Sequence, residues 1–321
     1  MKKVIVTGTA GFIGFHLANK LLKQGYEIVG IDNLNDYYDV NLKEARNKIL
    51  KEHKNYNFKK IDISEYDKLF SECSNHKVDM IVHLAAQAGV RHSIENPHVY
   101  GKYNLNGTLN IFEVARHQKI PKIVYASSSS VYGGNTIVPF SESHNVDKPV
   151  SLYAATKKAN ELKAHAYSHL YGINMTGLRF FTVYGPYGRP DMAAYMFVKN
   201  ILEDKPIKIF NQGDMERDFT YVDDIVNGII SAMDKDFKYE IFNLGNSNPE
   251  KLMDFVGILE KHCGKKAIKE FHPMQAGDVK KTHACLKKTK EMLGWEPTTN
   301  IDEGLKNFIE WYKEYHNVKK R

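Results

Sequence analysis

Tyr153 and Lys157 stand four residues apart in a stretch with helical patterning, which puts both side chains on one helix face. An ammonium beside a phenol favours the phenolate, so such a pair can take a proton from an alcohol. Spacing alone does not select this pair, because Tyr56/Lys60, Tyr195/Lys199 and Tyr315/Lys319 match it equally. What separates Tyr153 is the run Ser127-Ser128-Ser129-Ser130, about 25 residues earlier, at the end of an apolar strand-like segment. Hydroxyls at the carboxyl end of a sheet strand stand where open α/β sheets bind ligands. A serine run by itself is more often a turn held by side-chain-to-backbone hydrogen bonds. Beside a Tyr/Lys helix it becomes a set of donors for a reacting hydroxyl.

A second group of residues suits phosphate. Gly8-Thr9-Ala10-Gly11-Phe12-Ile13-Gly14 follows Val4-Ile5-Val6 and opens a helical pattern. Glycines spaced three and three free the N–H groups of a helix start, Phe12 and Ile13 among them, to face a pyrophosphate, while Gly14 permits close helix–strand packing. Asp32, followed by Asn33, ends the next strand 18 residues beyond Gly14, where a carboxylate accepts hydrogen bonds from adenosine ribose hydroxyls. The same carboxylate repels a ribose 2′-phosphate, and no arginine lies within Asn33 to Asp36, so the expected dinucleotide is NAD rather than NADP. By position, Asp62 and Ile63 at the end of the third strand are expected to flank the adenine, and Leu84, Ala85 and Ala86 after the fourth to pass beside the adenosine.

Positioning these groups requires a sheet. Val4 to Val6, Glu27 to Ile31, Phe58 to Ile61, Met80 to Leu84, Ile123 to Ala126 and Met175 to Leu178 read as strands, most of them nearly apolar throughout, as parallel strands covered on both faces are. Between them Phe12 to Gln24, Asp39 to Glu52, Glu65 to Asn75, Asn106 to Gln118 and Leu152 to Tyr171 read as helices. This order predicts an α/β fold, a Rossmann-type doubly wound parallel sheet. After Gly185-Pro186 the pattern loosens, and residues 251–321 read as helices and polar loops broken at Pro273 and Pro297, a smaller C-terminal substrate-binding lobe. The expected division is 1–178 with 219–245 for the cofactor and 179–218 with 246–321 for the substrate.

The glycine turn, Asp32, the serine run before Val131-Tyr132-Gly133 and Tyr153-Ala154-Ala155-Thr156-Lys157 together resemble the extended short-chain dehydrogenase/reductases, specifically nucleotide-sugar epimerases and dehydratases. More narrowly, Asp32 to Asp39, Leu84 to Arg91, Arg179 to Pro186 and Gly188 to Met192 resemble UDP-glucuronate 4-epimerases. That resemblance implies a UDP-sugar substrate, with Tyr153 as base, Lys157 on the cofactor ribose and Ser128 as the serine counted back from Val131. It implies Ser129, Ser130, Thr182 and Arg189 at a sugar carboxylate, Arg217 with Gln212 at the diphosphate, Phe210 at the uracil and Asp278 at the uridine ribose. Ala276 replaces a usual proline in that last loop. The resemblance also implies a homodimer through the helices Asn106 to Gln118 and Leu152 to Tyr171.

A 4,6-dehydratase would carry an acidic pair where Ser129 and Ser130 stand, and a decarboxylating synthase a Glu there. An epimerase of neutral UDP-hexoses differs mainly at C6, which leaves Thr182 and Arg189 to discriminate. A non-catalytic NAD sensor on the same fold is disfavoured by the intact Ser128, Tyr153 and Lys157. The net charge is +7, with 15 basic against 10 acidic side chains in residues 251–321, but the lysines are scattered, and neither a nucleic-acid nor a membrane partner is expected. Cys73, Cys263 and Cys285 lack metal-ligand spacing and read as thiols of a cytoplasmic protein. No apolar run suggests a signal peptide or a membrane span.

Overall fold

The computed structural model describes residues 2–318 apart from positions 75 and 276, so the Ala276 substitution lies outside the described residues. Its centre is a parallel sheet of seven strands: β1 (Lys3–Thr7), β2 (Glu27–Asp32), β3 (Tyr56–Lys60), β4 (Met80–His83), β5 (Lys122–Ser128), β6 (Asn174–Phe180) and, after an excursion, β10 (Tyr239–Leu244). Their spatial order is β10-β6-β5-β4-β1-β2-β3. The period-2 side-chain rule divides each apolar strand between two cores: Val4 and Val6 point into one, Ile5 into the other, and all three are fully buried. This is why these strands read as continuous hydrophobic runs.

Helices cover both faces. α1 (Phe12–Lys23), α2 (Val40–Lys51), α3 (Tyr66–Ser74), the short α4 (Val90–Glu95) and α5 (Pro97–Tyr100), α6 (Thr108–Gln118) and α7 (Leu152–Tyr171) follow the strands in turn. A π-helical segment, Gly101–Gly107, joins α5 to α6. Wider winding leaves its carbonyls without their usual donors, and α7 supplies replacements: Asn160 Nδ2 donates to Asn104 O at 3.0 Å and Lys163 Nζ to Leu105 O at 2.7 Å.

The excursion contains β7 (Thr182–Tyr184), α8 (Ala193–Leu202), β8 (Pro206–Phe210) and β9 (Glu216–Tyr221); α9 (Val222–Met233) then leads to β10. Beyond it come β11 (Pro249–Lys251), α10 (Leu252–Cys263), β12 (Ile268–His272), α11 (Lys287–Leu293) and α12 (Ile301–Tyr315). β11, β9 and β7 form a three-stranded sheet, and β8 pairs with β12 in parallel. A third core gathers here around Phe197, Phe219, Phe255 and Phe308, with the Phe219 and Phe255 rings stacked at 4.2 Å. β12 corrects the expectation of helices and loops alone after residue 251: Ile268-Lys-Glu-Phe-His is a half-polar edge strand whose partner among the described residues is β8.

Candidate active site

The carboxyl ends of the strands open into one cavity of about 730 Å³. Its cofactor end is built by the glycine turn. Gly8 adopts φ +78°, and a Cβ on Gly14 would sit 2.0 Å from Gly8 O, so both positions require glycine. Gly11 caps α1 without a side-chain acceptor, leaving the first-turn N–H groups of Phe12, Ile13 and Gly14 without intrahelical carbonyls. Asp32 braces this turn: Oδ2 accepts from Ala10 N at 3.1 Å and Oδ1 from Leu34 N at 2.9 Å. Burial raises its carboxyl pKa, against the Leu34 N–H and the charge of Lys43, which favour the anion.

At the middle stand the serine run and the start of α7. Ser151 caps that helix, its Oγ accepting from Ala154 N at 3.1 Å, and so fixes where Tyr153 emerges. Lys157 is 4% exposed; its Nζ donates to Ala126 O at 2.8 Å and lies 5.9 Å from the Tyr153 ring centre. Burial lowers the Lys157 pKa to about 8. Burial also raises that of Tyr153, opposed by the Ser128 hydroxyl and then by the charge of Arg189. The Ser128 hydroxyl and the Arg189 charge thus favour the phenolate, while the Lys157 ammonium gives one donor to a backbone carbonyl and stands over the Tyr153 ring. Ser128 Oγ donates to Ser130 Oγ at 3.1 Å and accepts from Ser130 N at 3.2 Å.

Ser127 points the other way. Its Oγ donates to Glu161 Oε1 at 2.6 Å, and Glu161, two helical turns beyond Tyr153, holds Arg179 of β6 with Nε and Nη2 both at 2.9 Å. Both side chains of this ion pair are almost fully buried.

Around the far end, Arg189 Nε donates to Asp191 Oδ1 at 3.0 Å, and Asp191 Oδ2 accepts from Tyr37 OH at 3.1 Å. Arg189 and Asp191 thus form a partly buried ion pair within this Gly/Pro loop, in the cavity wall. Among the described residues Arg217 donates to the carbonyls of Glu216 and Lys280, each at 3.0 Å. Asp278 Oδ2 accepts from Arg91 at 3.1 Å, and the Arg91 guanidinium lies 4.9 Å from the Phe210 ring centre.

Gly8, Gly11, Phe12, Ile13, Gly14, Asp32, Asn33, Ile63, Leu84, Ala85, Ala86, Ser128, Ser129, Ser130, Tyr153, Lys157, Thr182, Arg189, Phe210, Arg217 and Asp278 all line the one cavity. Asp62 and Gln212 do not. Asp62 turns back to accept from Ser64 N at 2.8 Å and from Asn33 at 3.3 Å, and Gln212 is exposed on a tight turn at φ 52°. The wall also holds Tyr37, Lys43, Arg91 and Asp191. Tyr37 and Arg91 lie in segments that carry the resemblance, but their partners Asp191 and Asp278 are 154 and 187 residues away, beyond any local signal. Among the described residues no helix is long and apolar enough to cross a membrane and no cluster suits a metal ion.

Residues 4–245 match the family model described as the NAD dependent epimerase/dehydratase family. The chain is 60% identical to an uncharacterized protein of Methanocaldococcus jannaschii over 98% of this chain and 97% of that one. It is 48% identical to a UDP-glucuronate 4-epimerase of Thermodesulfobacterium geofontis, covering 97% and 96%. The structure superposes with a TM-score of 0.92 on a UDP-glucuronic acid 4-epimerase from Bacillus cereus in complex with UDP-glucuronic acid and NAD, at 36% identity and covering 98% and 99%.

Proposed function

We propose that this chain, which belongs to the NAD-dependent epimerase/dehydratase family, interconverts UDP-glucuronate and UDP-galacturonate by inverting C4 of the sugar without loss of carbon dioxide. The observation that carries this reading is the single cavity. A glycine turn braced by Asp32 lies at one end and Arg217 with Phe210 at the other, and Ser128, Tyr153 and Lys157 line the same space.

The residues fit NAD. The close Gly8–Gly14 packing sets the start of α1, whose first-turn N–H groups suit a pyrophosphate, and Asp32, with its charge and spare lone pairs, suits a ribose diol and opposes a 2′-phosphate. Bound there, NAD would supply a hydride acceptor for C4 that is restored in each cycle, so that no net oxidation results. Tyr153 takes the 4-hydroxyl proton and later gives one back. Ser128 donates to the same oxygen, and Lys157, anchored on Ala126 O, keeps further N–H donors for the cofactor ribose. Ser129, Ser130, Thr182 and Arg189 hold the carboxylate. That grip matters because the 4-keto intermediate is a β-keto acid, which decarboxylates when its carboxylate turns perpendicular to the ketone. Arg217 pairs with the diphosphate, Phe210 meets the uracil and Asp278 the uridine ribose.

The proposed division is 1–178 with 219–245 for the cofactor and 179–218 with 246–321 for the sugar nucleotide, supported by the place of β10 in the large sheet. A homodimer through α6 and α7 is supported by the exposed Leu109, Leu162, Leu170 and Tyr171 on those helices, and a cytoplasmic location by the three free thiols. Incubating the purified chain with UDP-glucuronate and resolving the nucleotides by chromatography tests the reaction. UDP-galacturonate alone is expected; UDP-xylose, an accumulating 4-keto sugar, or turnover of UDP-glucose but not of the uronate would overturn the assignment.

A further inference from the structure

Arg46 of α2 is fully buried and does not line the cavity, and no carboxylate pairs with it among the described residues. A guanidinium in that position must spend its donors on neutral acceptors. Nε has no partner among the described residues, and the two amino groups donate on two different walls of the site. Nη1 donates to Ala10 O, inside the glycine turn, and to Tyr38 OH, both at 2.7 Å. Nη2 donates to Tyr187 O at 2.7 Å, with Gly188 O 3.5 Å away, in the loop that carries Arg189 and Asp191.

That loop needs outside support. Tyr187 is a non-glycine residue at φ 54°, and a Cβ on Gly188 would lie 2.9 Å from Gly185 O. Backbone in this region persists only where its surroundings over-determine it. Besides Arg46, the supports are His16 of α1, whose Nε2 donates to Pro186 O at 2.8 Å, and the Tyr187 ring packed against Phe15 at 5.0 Å and Trp311 at 4.9 Å. Three successive carbonyls of the loop therefore face donors from the helices that flank the glycine turn.

We propose that Arg46 is a positioning residue that acts on both ends of the site at once: its planar fork ties the backbone of the glycine turn to the backbone of the Arg189 loop, while its uncompensated charge favours an anion at that turn. The two contributions are separable by chemistry. Charge survives replacement by lysine, but a point ammonium cannot bridge two opposed carbonyls as a fork does. Nearby groups feel the charge: burial lowers the pKa of His16 and of Lys43 and Arg46 adds to it, while Arg46 opposes the burial that raises that of Asp32.

The inference rests on Arg189 being the partner of a uronate, so the test separates the two ideas. Calorimetry on the full chain measures NAD, UDP-glucuronate and UDP binding for wild type, R46M and R46K. In R46M, NAD affinity falls roughly tenfold with the lost charge, and the preference for UDP-glucuronate over UDP falls by about tenfold as the Arg189 loop loses its register. In R46K, NAD binding stays within about threefold of wild type while the uronate preference is still lost. A purely structural role moves UDP and UDP-glucuronate together and keeps their ratio, and that result, or full retention of the ratio in R46K, overturns the proposal. If R46M does not fold, R46K alone decides by the same criterion. If wild type itself binds UDP and UDP-glucuronate equally, the uronate reading fails, and Arg46 is then judged on NAD alone: weakened in R46M and kept in R46K supports it, unchanged in R46M overturns it.

Discussion

Replacing Glu161 by glutamine removes one charge from an ion pair whose two side chains are 1% and 3% exposed. Arg179 then keeps its charge in the interior with its bidentate partner gone, and Ser127, which donates to the same oxygen at 2.6 Å, loses its charged acceptor. Breaking a buried pair by removing one partner costs about 3–5 kcal/mol. With roughly 2.1 cal/mol/K of unfolding entropy per residue, a chain of 321 residues has an unfolding entropy near 0.7 kcal/mol/K, so the midpoint falls by about 4–7 °C. Differential scanning calorimetry at pH 7 and low salt reads this directly. The control is the double variant Glu161→Gln with Arg179→Met, in which no buried charge is left over; it recovers most of the loss if the cost lies in the orphaned guanidinium. A drop under about 1 °C in the single variant, or a double variant less stable than the single one by the same margin again, refutes the reasoning. The pair also fixes the register of β5, β6 and α7 beneath Ser128, so turnover falls with stability in the single variant and returns with it in the double.

Tyr153→Phe removes the proposed base while leaving the ring that packs edge-on against Tyr100 at 6.2 Å. Epimerisation followed by chromatography falls by about 10²–10⁴ while NAD binding by calorimetry persists, and retained turnover assigns the proton elsewhere. His83 gives a pH signature. Its ring nitrogens lie 2.8 and 3.0 Å from the hydroxyls of Thr7 and Thr108, and burial, aided by the charges of Lys157 and Lys163, lowers its pKa to about 3. Because the folded value lies below the unfolded one, the unfolded chain takes up the proton first as pH falls, and stability fully present above pH 6.5 is lost progressively toward pH 3. Between pH 8 and 5 this single group contributes about 2 kcal/mol, or about 3 °C in the midpoint. His83→Gln flattens that limb by the same amount, and parallel curves for the two proteins would exclude His83 as the cause.

Much of this architecture was legible because parallel strands buried on both faces advertise themselves: Val4 to Val6 and Ile123 to Ala126 have no polar side to hide. The cofactor turn was equally plain, since Gly8 is required by its φ of +78° and Gly14 by a 2.0 Å approach that only glycine survives. What escaped local reading depends on distance along the chain. Asp191 owes its place to Tyr37 and Arg189 together, and β12 owes its existence to β8, some sixty residues earlier, against a half-polar pattern of its own. The π-helical segment has no periodic signature because its carbonyls are satisfied by Asn160 and Lys163 on another helix. Asp62, placed by its strand end, and Gln212, placed by resemblance, do not line the cavity: Asp62 is held by Ser64 and Asn33, and Gln212 sits exposed on a left-handed turn. Lys157 illustrates a subtler gap, because four-residue spacing gives proximity to Tyr153 but not which acceptor the ammonium chooses.

The position of β10 in the large sheet has a consequence for how the molecule comes into being. Six of the seven parallel strands are complete by Phe180, whereas β10, which pairs with β6 from Met175 to Phe180, ends only at Leu244. A chain emerging from the ribosome N-terminus first therefore exposes the open edge of β6 while some sixty further residues are made. The glycine turn, Asp32 and the α7 residues lie within the first part, so the half of the cavity that suits a dinucleotide matures before the half that suits a sugar. Cofactor captured at that stage would act as a ligand-dependent brace on an unfinished sheet, stabilising the nascent fold by mass action before there is any substrate site to use it.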